Sequence, residues 1–185
     1  KFKSQQADFV SESFATIAAY GDNGAICHYS ATKQTNRILE PTGFLLLDTG
    51  THYLDGTTDI TRTISLGSLS DQQKKDFTLV LKGHIALATI KFPYGTKGSH
   101  LDILARQFLW NEGLNYGHGT GHGVGHFLNV HEGYAWLRPR ENNVVYEAGM
   151  TMTNEPGLYR DGYYGVRTEN VMLIEQAEET DFGNF

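Results

Sequence analysis

Residues 44–64 read FLLLDTGTHYLDGTTDITRTI, and this stretch sets the centre of the predicted fold. Phe44 to Asp48 is a short apolar run that ends in a carboxylate, which predicts a buried strand. Thr57 to Ile64 is rich in β-branched residues, which favour a second strand. The Asp55-Gly56 dipeptide between them is typical of a hairpin turn. The stretch therefore predicts two adjacent antiparallel strands, with Asp48 on one and Asp59 on the other.

Two amphipathic helices are predicted to follow the hairpin. Ser70, with Gln73 three residues later, resembles a capping box, and apolar residues then recur at helical spacing. The second helix is expected to start near Ser99, with Asp102 as its reciprocal cap, and to stop at Gly113. Extended segments precede the hairpin and follow the helices. This order predicts an α+β domain with helices packed on one face of a mostly antiparallel sheet.

The composition narrows the class of protein. The chain of 185 residues has the size of one domain, and 39% hydrophobic residues suffice for a sizeable core. Lys and Arg total 15 against 21 Asp and Glu, so the charge of −6 argues against nucleic acid or an anionic membrane as a partner. No apolar run approaches the roughly 18 residues of a membrane span. The single cysteine, Cys27, excludes an intrachain disulfide framework and fits a reducing, cytoplasmic location.

Two glutamates lie on either side of a second turn signal, Asp161-Gly162. A hairpin that turns there places Glu155 opposite residue 168 or, with one bulge, opposite Glu169. Carboxylates held that close repel each other unless one is protonated or a cation lies between them. Salt bridges to nearby arginines are the alternative interpretation of the same pair.

The stretch GHGTGHGVGHFLNVHEG, residues 117–133, is called the histidine loop here because it carries His118, His122, His126 and His131. Its glycines leave the backbone open to a substrate or a metal. A phosphate-binding loop is excluded, because the GxxxxGK pattern is absent. Together with the four carboxylates, an imidazole makes an oxygen-rich donor set that favours Mn²⁺, Fe²⁺ or Mg²⁺ over a thiolate zinc site. Two such ions could prepare a water molecule to attack a carbonyl.

Four motifs carry a resemblance to a known family: LLLDTGTHYLDGTTDITRTISLG, GHGTGHGVGHFLNVHEG, TNEPGLY and RTENVMLI. Together they resemble aminopeptidase P (Xaa-Pro aminopeptidase), a family of pita-bread metallopeptidases that are related to prolidase and methionine aminopeptidase. The resemblance extends from about Phe9 to Phe185. It implies the pita-bread fold, a curved and mostly antiparallel sheet covered by helices on one face. It also implies that residues 1–185 are one catalytic domain, truncated at both ends and without the upstream domains of the family.

The resemblance implies a set of metal ligands. Asp48 would chelate one ion, His122 and Glu155 would bind the other, and Asp59 and Glu169 would bridge both. Glu155 would also act as the general base.

A further set of residues would surround the substrate, again by resemblance. His131 would contact the scissile carbonyl, and His28, His118 and His131 would line the pocket. Arg167 would hold carboxylate ligands in place. His126 has no family role and is expected to be structural or at the pocket edge. The remaining histidines are expected to be structural or on the surface: His52, His84 and His100.

The spacing of the two aspartates raises one structural expectation. A turn at Asp55-Gly56 would place Asp59 opposite His52. An irregularity near Gly50 is therefore expected to bring Asp48 and Asp59 together.

The implied activity is removal of an N-terminal residue that precedes proline, by an exopeptidase with two divalent ions. Mn²⁺ is the expected ion, with Zn²⁺, Co²⁺ or Fe²⁺ as alternatives. The substrates would be peptides with proline at the second position, and the full-length protein would be a cytoplasmic homodimer. Two alternatives stay open: a prolidase-type dipeptidase or methionine aminopeptidase of the same fold, and a pita-bread module that binds without catalysis.

Overall fold

The computed structural model describes residues 2–185, and its elements follow the predicted order of strands, two helices and strands. The strands and helices are β1 (Phe9–Glu12), β2 (Ile17–Tyr20), β3 (Phe44–Tyr53), β4 (Gly56–Ser65), α1 (Asp71–Thr89), α2 (Gly98–Trp110), β5 (Thr151–Asn154), β6 (Gly157–Arg160), β7 (Tyr164–Arg167), β8 (Asn170–Leu173), β9 (Glu179–Thr180) and β10 (Gly183–Asn184). The named strands pair antiparallel, so the α+β prediction is confirmed. Among these residues, no helix is both long and apolar enough to cross a bilayer.

The β3–β4 hairpin has a continuous register, and this corrects one expectation. Asp59 lies opposite Gly50 instead of His52, and Asp48 lies opposite Thr61. The expected irregularity near Gly50 is absent from this ladder, because the turn residues are Leu54 and Asp55 while Gly56 already belongs to the strand. Since side chains alternate along a strand, both aspartates point to the same face as diagonal neighbours.

The strands β1 and β2 both pair along the other edge of β3. Gly50 lies where these chains crowd together: a Cβ at this position would collide with the Thr58 carbonyl and the Ser13 hydroxyl. The absence of a side chain at Gly50 therefore permits β4 and the Ser13 segment to approach β3 closely beside Asp59.

Both predicted helices form, but one predicted cap is wrong. Ser70 and Gln73 make the capping box of α1 as expected. The helix α2 begins at Gly98, and Asp102 is buried inside it instead of capping it. The Asp102 carboxylate pairs with Arg106 one turn later, at 2.6 Å, because a buried carboxylate needs a compensating charge.

Two short ladders hold the second pair of carboxylates. Asn154 pairs with Asn170 at the end of β5–β8, and Gly157 pairs with Arg167 at the end of β6–β7. Both ladders share one register. Glu155 and Glu169 consequently stand opposite each other in the gap between the ladders, and the bulge considered in the sequence is not needed.

The helices cover one face of these strands. Leu158, Tyr164 and Val166 from β6 and β7 join the apolar cluster of α1 and α2, which includes Leu79 and Leu109. Side chains at the alternating positions point to the opposite face. That face carries the candidate site.

An ion pair between buried Asp76 and half-buried Arg160 joins α1 to the strands. The Asp76 side chain is fully buried and accepts hydrogen bonds from Arg160 on β6, from Tyr164 on β7 at 2.7 Å and from Gln72 at 2.8 Å. Burial raises the pKa of Asp76, but these hydrogen bonds outweigh it, and the net effect is a pKa below the usual range. The ionised carboxylate therefore stabilises the folded state.

Replacing this carboxylate should weaken the fold. We expect Asp76→Asn to lower the free energy of unfolding by about 2 to 3 kcal/mol at neutral pH, because Arg160 is left without its counter-charge. The wild-type contribution is fully present above the unfolded-state pKa of roughly 3.9 and is lost as the pH falls through the lower folded-state pKa. Urea unfolding of both proteins from neutral to acid pH measures both effects.

The matched control is Asp22→Asn, which breaks the exposed pair between Asp22 and Arg37. An exposed pair contributes no more than about 1 kcal/mol. Equal losses for the two variants, or a difference that does not shrink in acid, would contradict the assignment.

Candidate metal centre

A cavity of about 310 Å³ lies on the face away from the helices. Every residue that the sequence suggested as a metal ligand or pocket residue lines it: His28, Asp48, Asp59, His118, His122, His131, Glu155, Arg167 and Glu169. His126 is exposed and does not line this cavity. The fold thus brings together side chains from the first hairpin, the histidine loop and the β5–β8 strands.

Three buried residues form the tightest group. Asp59, His122 and Glu169 each offer one ligand atom, and these atoms lie within 4.8 Å of one another. Nε2 of His122 is 3.5 Å from the Asp59 carboxylate and 3.3 Å from that of Glu155. The other ring nitrogen, Nδ1, donates to the Gly123 carbonyl at 2.9 Å, since a carbonyl can only accept. In the neutral ring, Nε2 therefore carries the lone pair that a metal requires.

Asp48 completes the group from β3. Its Oδ2 accepts a hydrogen bond from Nη2 of Arg167 at 2.7 Å, whereas its Oδ1 is buried and has no hydrogen-bond partner. Burial raises the pKa of Asp48, and Arg167 opposes that effect. An unpartnered carboxylate oxygen at the cavity wall is a position that a cation would satisfy.

Both glutamates have raised pKa values, because they are buried close to other carboxylates. Burial is the main reason that the pKa of Glu155 is raised to about 7. Burial, followed by the charges of Glu155, Asp59 and Asp48, raises the pKa of Glu169 well above its usual range. Four carboxylates around one buried imidazole fit two divalent ions, which would offset this repulsion.

Two threonine hydroxyl groups bind the glutamate carboxylates, and neither threonine was among the residues expected at the site. Thr61 donates to Glu169 at 2.6 Å, and Thr153 donates to Glu155 at 3.1 Å. Strand alternation was the available signal, because Thr61 follows Asp59 by two positions and Thr153 precedes Glu155 by two.

Tyr159 was also missed, and it joins two of the predicted pocket residues. Its hydroxyl accepts from Arg167 at 2.9 Å and lies 2.8 Å from Nε2 of His118. Nδ1 of His118 donates to the Gly119 carbonyl at 2.7 Å, so Nε2 accepts the Tyr159 proton. Burial lowers the pKa of His118 to about 4, which keeps this ring neutral.

Hydrogen bonds hold the histidine loop near both ends, and its side chains differ in exposure. Arg106 donates to the carbonyls of Tyr116 and His118 at 2.7 and 2.8 Å, from inside α2. Near the other end, His131 is exposed, and its ring centre lies 4.2 Å from that of His122. Partial desolvation of the ring, followed by the nearby His122, lowers the pKa of His131.

The fold and the site define the class of this protein: the chain belongs to metallopeptidase family M24, whose profile matches residues 1–176. It is 49% identical over 187 residues to "Probable Xaa-Pro aminopeptidase P" of Neurospora crassa, covering 100% of this chain and 27% of that protein. The X-prolyl aminopeptidase of Caenorhabditis elegans, described as a cytosolic enzyme with a di-nuclear active site, superposes with a TM-score of 0.93 at 44% identity, over 98% of this chain and 29% of that one.

Prolidase from Pyrococcus furiosus is also similar, with a TM-score of 0.81 at 31% identity over 90% of this chain and 48% of that one. These likenesses confirm the pita-bread fold expected from the sequence. The chain spans less than a third of the length of the aminopeptidase relatives.

The cavity should bind divalent ions measurably. We expect Mn²⁺ added to metal-free protein to raise the thermal midpoint, because binding to the folded state at 100 times the Kd adds about 2.7 kcal/mol. Asp59→Asn should lose most of this shift, since a neutral amide cannot offset the charge of two cations. Differential scanning calorimetry with and without Mn²⁺ measures both.

The control is Asp161→Asn, which alters an exposed turn aspartate outside the cavity. It should keep the wild-type shift. An equal Mn²⁺ response in both variants would place the binding elsewhere.

Proposed function

We propose that this chain is the metal-binding part of an Xaa-Pro aminopeptidase, an exopeptidase that removes an N-terminal residue preceding proline. The observation that carries the proposal is the convergence of Asp48, Asp59, His122, Glu155 and Glu169 on one cavity of a family M24 chain. The N. crassa and C. elegans proteins support the aminopeptidase assignment by their names.

The side chains suggest how the reaction would proceed. Two divalent ions, when bound, would lower the pKa of water and polarise the scissile carbonyl. Glu155 would accept the proton of the attacking water, because its carboxylate lies in the cavity, 3.3 Å from Nε2 of His122. His131 would donate a hydrogen bond to the carbonyl oxygen. Arg167 would keep the Asp48 carboxylate in place through its bond of 2.7 Å.

The donor chemistry guides the choice of ion. Oxygen ligands outnumber the single imidazole, which favours Mn²⁺, with Zn²⁺, Co²⁺ or Fe²⁺ as alternatives. The substrates would be peptides with proline second, whose tertiary amide lacks the N–H that other peptidases grip. A cytoplasmic homodimer remains part of this proposal for the full-length protein, and the C. elegans relative is described as cytosolic.

A prolidase-type dipeptidase is the second candidate, because the P. furiosus prolidase shares the fold. The two activities differ in the length of peptide that they accept. A binding-only module is the least supported alternative, because all five ligand types are present in one cavity.

A substrate panel tests the proposed activity. We expect cleavage of Xaa-Pro peptides of three or more residues, much weaker cleavage of Xaa-Pro dipeptides and none of a Met-Ala peptide. Exhaustive chelation should abolish cleavage, and Mn²⁺ should restore it best. Preference for dipeptides would favour the prolidase alternative, and full activity in verified metal-free protein would refute the metal mechanism.

Substitution should distinguish a histidine that contacts the substrate from one that has no role in the reaction. His131→Ala should retain both metals and lose roughly 10²- to 10⁴-fold in kcat/KM, the usual contribution of a group that stabilises the reacting carbonyl. His126→Ala, in the same loop but exposed, should keep both metals and near wild-type kcat/KM. Metal content and kcat/KM of both variants give the answer.

Loss of metal in His131→Ala, or equal losses of kcat/KM in the two variants, would overturn this division.

A further inference from the structure

His84 lies behind the two glutamates, on the face of α1 that meets the sheet. It is buried, at 6% exposure. Its Nδ1 is 3.1 Å from the Asn154 carbonyl, and its Nε2 is 3.1 Å from Nδ2 of Asn170. Asn154 returns a hydrogen bond of 2.9 Å to the His84 carbonyl. The histidine thus joins both strands at the last pair of the β5–β8 ladder, next to Glu155 and Glu169.

The surrounding groups fix the protonation of this ring. The Asn154 carbonyl can only accept, so Nδ1 carries the proton. Nη2 of Arg62 donates to Oδ1 of Asn170 at 2.8 Å, which turns the amide NH₂ toward His84. Nε2 must then accept. Burial, with a contribution from Arg62, lowers the pKa of His84 and keeps the ring in this neutral form.

Arg62 extends the connection to the glutamate strand. Its Nη1 donates to the Glu169 carbonyl at 2.6 Å and to the Thr61 carbonyl at 2.9 Å. One chain of hydrogen bonds therefore runs from Arg62 through Asn170 and His84 to Asn154. This chain lies beside the gap between the two ladders. In that gap, Glu155 and Glu169 face each other without a ladder pairing of their own.

We propose that His84 is a positioning residue that sets the spacing of Glu155 and Glu169 by pinning Asn154 to Asn170. The proposal rests on the metal-dependent function above, because the spacing matters for carboxylates that share ions. Like charges push the two strands apart, and the hydrogen-bonded ring resists that separation. Groups that orient metal ligands from behind typically contribute 10- to 100-fold in metal affinity.

Three variants test this role, with the Kd for Mn²⁺ measured by calorimetry. His84→Leu removes both ring contacts and should raise the Kd by about 10- to 100-fold. His84→Gln can still accept from Asn170 and should raise the Kd by less. Arg62→Gln, at an exposed position, removes the bond that orients the Asn170 amide together with the bonds to the Glu169 and Thr61 carbonyls, so it tests the whole hydrogen-bond chain if His84→Leu fails to fold.

Val80→Ala is the matched control, since Val80 is fully buried on the same helix and lies in the apolar cluster instead of the hydrogen-bond chain. It should lower stability and leave the Kd unchanged. A wild-type Kd in both His84→Leu and Arg62→Gln, or an equal rise in Val80→Ala, would overturn the proposal.

Failure of the His84 proposal can be distinguished from failure of the proposed peptidase function. Wild-type protein that neither binds Mn²⁺ nor cleaves Xaa-Pro peptides refutes the function before any variant is compared. Nitrogen NMR of the wild-type His84 ring needs no metal and should show a protonated Nδ1 and an unprotonated Nε2. Hydrogen exchange at residues 151–155 and 168–173 should speed up in Arg62→Gln but not in Val80→Ala, and the reverse result would reject the positioning role.

Discussion

The structure depends on the burial of four carboxylates in one cavity with few positive groups to balance them. Of these four, only Asp48 has an arginine partner within residues 2–185, Arg167, while Glu169 is almost fully buried at 1% exposure. Such a cluster is unfavourable by itself, because desolvation and mutual repulsion both oppose ionisation. The surrounding fold therefore has to hold these groups in place, and a bound cation would convert the repulsion into attraction.

Rigid neighbours supply that restraint from several directions. The continuous β3–β4 ladder fixes the two aspartates as diagonal neighbours, and two ladders of one register hold the two glutamates opposite each other. Helix α2 holds the start of the histidine loop through Arg106, and helix α1 reaches the glutamate strands through His84. The helices thus act on the site from the far face of the sheet without lining the cavity.

Local patterns predicted the elements well, because caps, turns and alternation depend on neighbouring residues. The capping box of α1 formed as expected, and the candidate site residues could be named because their order and spacing resemble a family. The predicted hairpin register was wrong, because it depends on which turn residues close the strands. The predicted capping role of Asp102 was wrong, because it depends on a buried partner, Arg106. Tyr159 lines the cavity and His84 bonds to residues beside the two glutamates, both across long sequence distances that local patterns do not predict.

Along the histidine loop, the candidate metal ligand His122 and the proposed substrate contact His131 differ in burial. His122 is buried and hydrogen-bonded to Gly123, whereas His131 is exposed and its ring centre lies 4.2 Å from that of His122. Exposed loop segments rearrange in nanoseconds to microseconds, far faster than a typical turnover. Under the proposed function, the exposed His131 side chain would adjust to peptides of different sequence while His122 keeps its place, and one centre would serve many N-terminal residues.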